Sequence, residues 1–304
     1  MNRLAGEIIR ELGSRGLSYR LSEGEILSIV CFCARSGTPR RIIPLEINAL
    51  SLAEARKSQE TYISEIQRLA LEDGEYPLVV SLDRWMLHNP MMKARLLAHL
   101  EIHSSVFARD CTVRRIDKTA AREFLSACHS YGYASGKYHY GLFVERAREG
   151  SGRKAGEMVA VSTFSSARKW LKGGKEIRSF EWTRYSSLPD VRVTGGMGKM
   201  LKTFIEDKKP DDIMSYADLE WSEGTVYEQL GFTCEGVKAP VLFTIDPASW
   251  TRKPVAGAIP ETSASGSAPE TSASDSLPET AAPGNTFWFI NFGSRKYRLK
   301  LTQY

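Results

Sequence analysis

Apolar residues recur along the first hundred positions at helical and strand-like spacings. Leu4, Ile8, Ile9 and Leu12 fall three or four apart, which places one apolar stripe on a helix. Ser22-x-x-Glu25 has the form of a capping box, so the apolar run 26–33 behind it is predicted as a second helix. Residues 50–71 repeat the helical pattern, 76–82 read as a strand, and 91–100 as another helix. Residues 1–75 therefore form a mainly helical N-terminal extension, a packing or partner module, ahead of a domain spanning 76–304. A helix-turn-helix over 1–36 is poorly supported, because no basic recognition helix marks it.

From Cys111 the order becomes regular. Residues 112–116 suit a strand, and 118–130 a helix with Ala121, Phe124, Leu125 and Cys128 on one face. The runs 138–144 and 158–164 flank the polar turn 148–153, the pattern of a hairpin. Strands follow at 177–185 and 211–216, with a glycine-started helix between them. Pro260-Glu261-Thr262-Ser263-Ala264-Ser265 then recurs as Pro269-Glu270-Thr271-Ser272-Ala273-Ser274 and, shortened, as Pro278-Glu279-Thr280. With almost no bulky apolar residue, the stretch 255–284 cannot offset its ordering entropy and is expected to be a disordered loop inside the domain. Residues 286–292 regain strand character and are predicted to pair with 242–245 as the last hairpin of the same sheet.

Composition narrows the class. The chain has 304 residues, 42% of them hydrophobic, enough for a substantial core. No apolar run approaches the length of a membrane span and the first residues lack a signal-peptide pattern, so a cytoplasmic protein without a membrane partner is expected. Five cysteines, an odd number, argue for reduced thiols. Cys31 and Cys33 lack a second pair at ligand spacing, so core packing and no metal site is the expectation there. A formal charge of +5 is too modest to imply nucleic acid by itself.

The chemistry concentrates at Val193-Thr194-Gly195-Gly196-Met197-Gly198-Lys199. Three glycines permit a tight turn and remove Cβ atoms, and the following residues give a helix an apolar face. The first amides of such a helix lack intrahelical acceptors and lie at the positive end of its dipole, which suits a pyrophosphate. Residues 211–216 then give a strand, and Tyr227-Glu228-Gln229-Leu230-Gly231-Phe232 a short helix with a glycine stop.

At these residues the chain resembles the GCN5-related N-acetyltransferase (GNAT) superfamily. Gly196-x-Gly198-x-x-Leu201 matches the end of that family's acyl-CoA pyrophosphate motif, although Val193 stands where the motif usually has Arg or Gln. More narrowly, 181–185 together with 215–218 and Trp221-Ser222 look like GNAT-like proteins of phages and mobile elements. The resemblance implies an α/β (α+β) fold with a mixed, mostly antiparallel central sheet flanked by helices. It also implies acetyl-CoA or another acyl-CoA as co-substrate, bound by 193–199, and N-acyl transfer to an amine. Tyr227 matches the tyrosine that faces the thioester sulfur, and backbone amides of the strand before the loop would polarise the carbonyl.

Direct transfer needs a neutral amine, a stabilised oxyanion and a protonated leaving thiolate. Tyr227 is the candidate acid. Glu181 is the first candidate base and Asp218 the second, with an ion pair to Arg184 as the other use of either. His129 could line the acceptor pocket. Aromatic and basic residues cluster at 137–140, 168–172 and 295–298, a composition compatible with nucleic acid and equally with a solvated strand edge. The competing class is a non-catalytic binding module on the same fold.

Overall fold

Leu4, Ala5, Ile8 and Leu12 are buried along one face of α1 (Arg3–Gly13), and Asn2 caps its start by accepting from the Ala5 N–H at 2.9 Å. The computed structural model describes residues 2–24, 27–255 and 286–303. After α1 come β1 (Tyr19–Glu23), β2 (Ser28–Cys33), β3 (Pro39–Leu45), α2 (Leu52–Asp73) and β4 (Leu78–Ser81). The four strands form one sheet in chain order, with α2 as the crossover that makes β3 and β4 parallel. Then follow α3 (Leu82–Leu87), α4 (Asn89–His99) and β5 (Ser104–Phe107).

Where a helix was expected over 26–33, the chain forms β2, so the N-terminal extension is built around a sheet. Burial along β2 alternates, with Ser28, Val30 and Phe32 inward. Ser22, the expected cap, lies in β1 opposite Ile29. An apolar run this short satisfies either period, and its β-branched residues decide for the strand. Cys33 is correspondingly exposed rather than packed in a core.

The second half comprises β6 (Cys111–Arg115), α5 (Lys118–Cys128), β7 (Tyr138–Val144), β8 (Met158–Phe164), β9 (Arg168–Lys172) and β10 (Lys175–Ser187). It continues through β11 (Val191–Thr194), α6 (Gly196–Lys208), β12 (Asp212–Asp218), α7 (Thr225–Gln229) and β13 (Thr233–Lys238). The chain ends with β14 (Leu242–Ile245), β15 (Arg252–Pro254), β16 (Phe287–Ile290) and β17 (Ser294–Lys300). The main sheet runs β13-β17-β12-β10-β8-β7-β6, with β9 paired to β10. Its neighbours are antiparallel except β10 and β12. This is a mixed, mostly antiparallel sheet flanked by helices. One face packs on α6, where Phe164 and Phe204 stack with centroids 3.8 Å apart, and Val161 on the other meets Ala121, Phe124 and Leu125 of α5.

Pairing between β10 and β12 is short. Ser179, Phe180 and Glu181 face Asp212, Ile213 and Met214, and then the strands part. β10 follows β8 instead, through an irregularity between Trp182 and Arg184. The divergence opens the sheet at the carboxyl ends of two parallel strands, where open α/β sheets bind ligands.

β16 does pair antiparallel with β14, Leu242 opposite Ile290 and Ile245 opposite Phe287. The hairpin does not join the main sheet. With β15 it forms a separate three-stranded sheet, and the Trp288 N–H donates to Ala49 O just before α2. Trp288, Phe289 and Ile290 are consecutive and all buried, so both faces of β16 need apolar cover. α2 covers one, while Phe289, Ile245 and Phe292 enter the N-terminal core. The strand that completes the main sheet is β17, whose 295–298 cluster was a nucleic-acid candidate. Tyr297 is fully buried, Arg298 pairs with Asp212 and Glu235, and Lys296 with Glu235. The repeat at 255–284 lies outside the described residues apart from Val255.

A buried ion cluster joins the halves. Arg252 pairs with Asp83 and Glu220, while Arg84 pairs with Asp218 at 3.0 Å and Glu220 at 3.6 Å. Arg95 donates to Val79 O and Trp221 O, and its guanidinium lies 3.7 Å from the Trp221 ring centroid.

Candidate active site

The glycine loop turns because Gly195 takes φ 75°, a left-handed conformation natural to glycine. Gly196 follows at a crowded point, where a Cβ would sit 2.8 Å from Tyr185 Oη and from Val193 Cγ1. Lys199 N is the first amide of α6 to find an intrahelical acceptor, Gly195 O at 3.0 Å. The amides of Gly196, Met197 and Gly198 precede it and are available at the helix terminus. Their residues border a cavity of about 1020 Å³ lined on this side by 193–198 and Tyr185, and on the other by Arg40, Met91, Arg95 and His99 of the N-terminal half. The N-terminal half thus walls the cavity. Lys199, expected in the cradle, is not part of that wall: its Nζ donates to Ala108 O at 2.9 Å and to Cys111 O, tying α6 to the start of β6.

A second cavity of about 590 Å³ lies against the first and shares Tyr185, Ser186, Met197, Trp221 and Val226 with it. The parting of β10 from β12 creates both. Tyr227 lines the second cavity. α7 is positioned by Gly224, whose backbone lies so close to Tyr297 that a Cβ would fall 2.5 Å from its ring. Tyr227 stacks on Tyr297 with centroids 5.2 Å apart, and its hydroxyl lies 2.9 Å from Ser215 Oγ, which is 2.9 Å from Trp182 O. Burial raises the Tyr227 pKa above the usual tyrosine value, against the hydrogen bond from Ser215. The phenol therefore holds its proton at neutral pH.

The expected bases fare differently. Glu181 lies on β10 but lines neither cavity. Asp218 lines the second, yet its Oδ2 accepts from Arg84 and its Oδ1 from the Glu220 N–H at 3.0 Å. Burial pushes its pKa up, but Arg84 outweighs this and holds it below the ordinary carboxylate range. An ion pair thus exists, with Arg84 and not with Arg184, and it makes Asp218 a weak base. His129 lines the same cavity; its Nδ1 accepts from the Tyr131 N–H at 3.1 Å, so a neutral ring carries its proton on Nε2. Burial, with Arg184 and Arg84 nearby, lowers its pKa to about 3.

Sequence reasoning did not single out Arg84 or Arg95, and it quoted Tyr185 and Trp221 for a resemblance without giving either a place at the site. Tyr185 carried a signal, an aromatic shortly before a glycine turn; the others act through partners distant in sequence. No group of three or more potential metal ligands occurs among the described residues, and no helix there is long and apolar enough to cross a membrane.

Neither a protein-family model nor a curated protein matches this chain. Among solved structures it is similar to Eis1 from Mycobacterium abscessus, at 16% identity and TM-score 0.31, over 44% of this chain and 33% of that one. It is also similar to a GNAT-family acetyltransferase from Bacillus anthracis, at 13% identity and TM-score 0.31, over 63% of this chain and 95% of that one. This chain therefore spans about a third of the length of Eis1. Similarity this low says nothing further about chemistry.

Proposed function

We propose that the protein is an acyl-CoA-dependent N-acyltransferase that transfers an acetyl group to an amine. The observation that carries the reading is the meeting of two cavities at a common wall. The amides of Gly196–Gly198 border one, and Tyr227 borders the other. The larger volume and the helix terminus fit the pyrophosphate and pantetheine of acyl-CoA, the co-substrate. Its thioester would reach the shared wall beside Tyr185 and Met197.

There the acceptor nitrogen attacks the acyl carbon, forming the C–N bond. As the C–S bond breaks, the sulfur takes the Tyr227 proton, and the amine proton leaves to water. Ser215, hydrogen-bonded to Tyr227 Oη, stabilises the transient phenolate. With Glu181 outside both cavities and Asp218 held by Arg84, the acceptor enters as the free amine. Turnover should therefore rise with pH until the acceptor amine is deprotonated.

Calorimetry with acetyl-CoA tests the reading. Saturable binding is expected, and Gly198→Glu should abolish it by placing a carboxylate at the phosphate position. Absence of binding by any acyl-CoA overturns the proposal. Binding without transfer to any amine supports the binding-module alternative.

A further inference from the structure

The second cavity is rich in cations and poor in carboxylates. Among the described residues Asp218 is the one carboxylate on its wall, and Arg84 and the Glu220 amide already occupy both its oxygens. Facing it are Arg184 of β10 and Lys238 of β13, and neither makes an ion pair among the described residues. Arg184 donates from Nε to Gly132 O at 3.3 Å and from Nη1 to Thr183 O at 2.8 Å, and Nη2 has no acceptor among the described residues. Lys238 Nζ lies 5.6 Å from the Tyr216 ring centroid. His129 adds an Nε2–H donor, and Tyr131, Tyr216 and Tyr227 give the wall aromatic surface.

A half-buried guanidinium without an ion pair, facing a cavity whose one carboxylate is already held by Arg84, is costly unless a ligand supplies the anion. Polyamines and cationic peptide segments would meet like charge. Resting on the acyltransferase reading above, we infer that the acceptor is a small amine that also carries a carboxylate or a phosphate, with Arg184 binding that anion. Lys238 at the exposed edge attracts the acceptor, and Asp218 keeps Arg84 in place behind the Tyr131 ring, 4.6 Å from its centroid. A volume of about 590 Å³ suits a molecule of amino-acid to nucleotide size.

The test follows thiol release from acetyl-CoA with the full chain and a panel of amines. The panel holds α-amino acids and aminoalkyl phosphates, each beside its uncharged amide or alkylamine counterpart, together with spermidine. The expected result is a kcat/KM at least about 30-fold higher for an anionic acceptor than for its counterpart, the range of one charge-assisted contact. Arg184→Gln should lower kcat/KM at least about 10-fold more for the anionic member of a pair than for the neutral one, through KM, and Arg184→Lys should recover part of it. Lys238→Glu, at an exposed position, gives the same selectivity in smaller measure and guards against loss of folding in the first variant.

The carboxylate and phosphate arms tell the two anion sources apart. Preference for neutral amines or spermidine overturns the inference, as does an equal loss for both members of each pair. Acetyl-CoA binding with no anionic acceptor acetylated overturns it too. Absence of acetyl-CoA binding instead removes the acyltransferase reading on which it rests.

Discussion

The two sides of β10 present surfaces of different physics. Toward α6 the site is made of backbone, three open amides on a turn whose glycines admit close approach. Toward the second cavity it is made of side chains: Tyr227, His129, Tyr131 and Arg184, held by partners up to 134 residues away in the case of Arg84 and Asp218. A backbone site depends on local shape and tolerates changes of side chain that keep it. A side-chain site depends on the whole fold, because each charged group needs a fixed partner. The contrast teaches where damage should spread: changes at the glycine loop should remain local, and changes at the seam should propagate.

The strongest way to break the side-chain half is Arg84→Met. It leaves Asp218 and Glu220 buried beside a lost partner, and removing one member of a buried ion pair typically costs about 3–5 kcal/mol. Thermal unfolding should shift down by about 10 °C, at about 2–4 °C per kcal/mol for a chain of this size. Adding Asp218→Asn should recover part of the shift. Full additivity of the two losses would show that the pair is not coupled.

Next in size is Tyr227→Phe, which keeps the stack on Tyr297 and removes the proton. A loss of about 100-fold in kcat, or about 2.7 kcal/mol, is expected, with acetyl-CoA affinity unchanged by calorimetry. Equal turnover of the variant, under conditions where chemistry limits the rate, would reduce Tyr227 to packing.

The backbone half is sharpened by a pair of alanine variants. A Cβ at residue 196 would press on Tyr185 Oη and Val193 at 2.8 Å, whereas at 198 it meets one side-chain carbon, Leu230 Cδ2, at 3.3 Å. Gly196→Ala should therefore destabilise by about 1–3 kcal/mol and displace Tyr185. Gly198→Ala should cost less than about 1 kcal/mol, since helix propensity offsets the mild contact. Denaturant titration of both variants checks the difference.

The same contrast explains what could be read from the sequence. The glycine loop, the hairpin of β7 and β8, and α5, β10, α6 and β12 are local patterns that formed near their expected bounds, whereas β9 and β11 had no counterpart among the predicted strands. The run 26–33 was ambiguous because a short apolar stretch fits either period. The chain register from 242 to 300 was readable as pairing but not as sheet membership: nothing local in Trp288-Phe289-Ile290 says that α2 covers one face. Nor does anything near Arg295-Lys296-Tyr297-Arg298 reveal that Asp212 and Glu235 neutralise Arg298 and Lys296 inside a sheet. At the site, the placement of the glycine loop on a cavity was legible. The diversion of Lys199 to Ala108 and Cys111, of Asp218 to Arg84, and the absence of Glu181 from both walls depend on tertiary partners.

The smallest expected effect is a pH dependence carried by the side-chain half. Burial lowers the His129 pKa to about 3, with Arg184 and Arg84 lowering it further and Asp218 opposing them. The unfolded chain therefore binds a proton near the ordinary histidine pKa while the folded chain does not. The stability linked to His129 is fully present above about pH 6.5 and declines as pH falls toward 3. Asp218 works in the same direction at lower pH, because its depressed pKa gives stability that is lost below the ordinary aspartate range. His88, His99 and His139 are also shifted down by burial and add to the slope. His129→Gln should flatten the plot of unfolding free energy against pH between about 6 and 4 by up to about 1.4 kcal/mol per pH unit, the value for one proton. The same neutral ring predicts no inflection near pH 6.5 from His129 in kcat/KM. A histidine-like inflection that His129→Gln removes would mean that this side chain titrates in the working enzyme, and would make it the base that Glu181 and Asp218 are not placed to be.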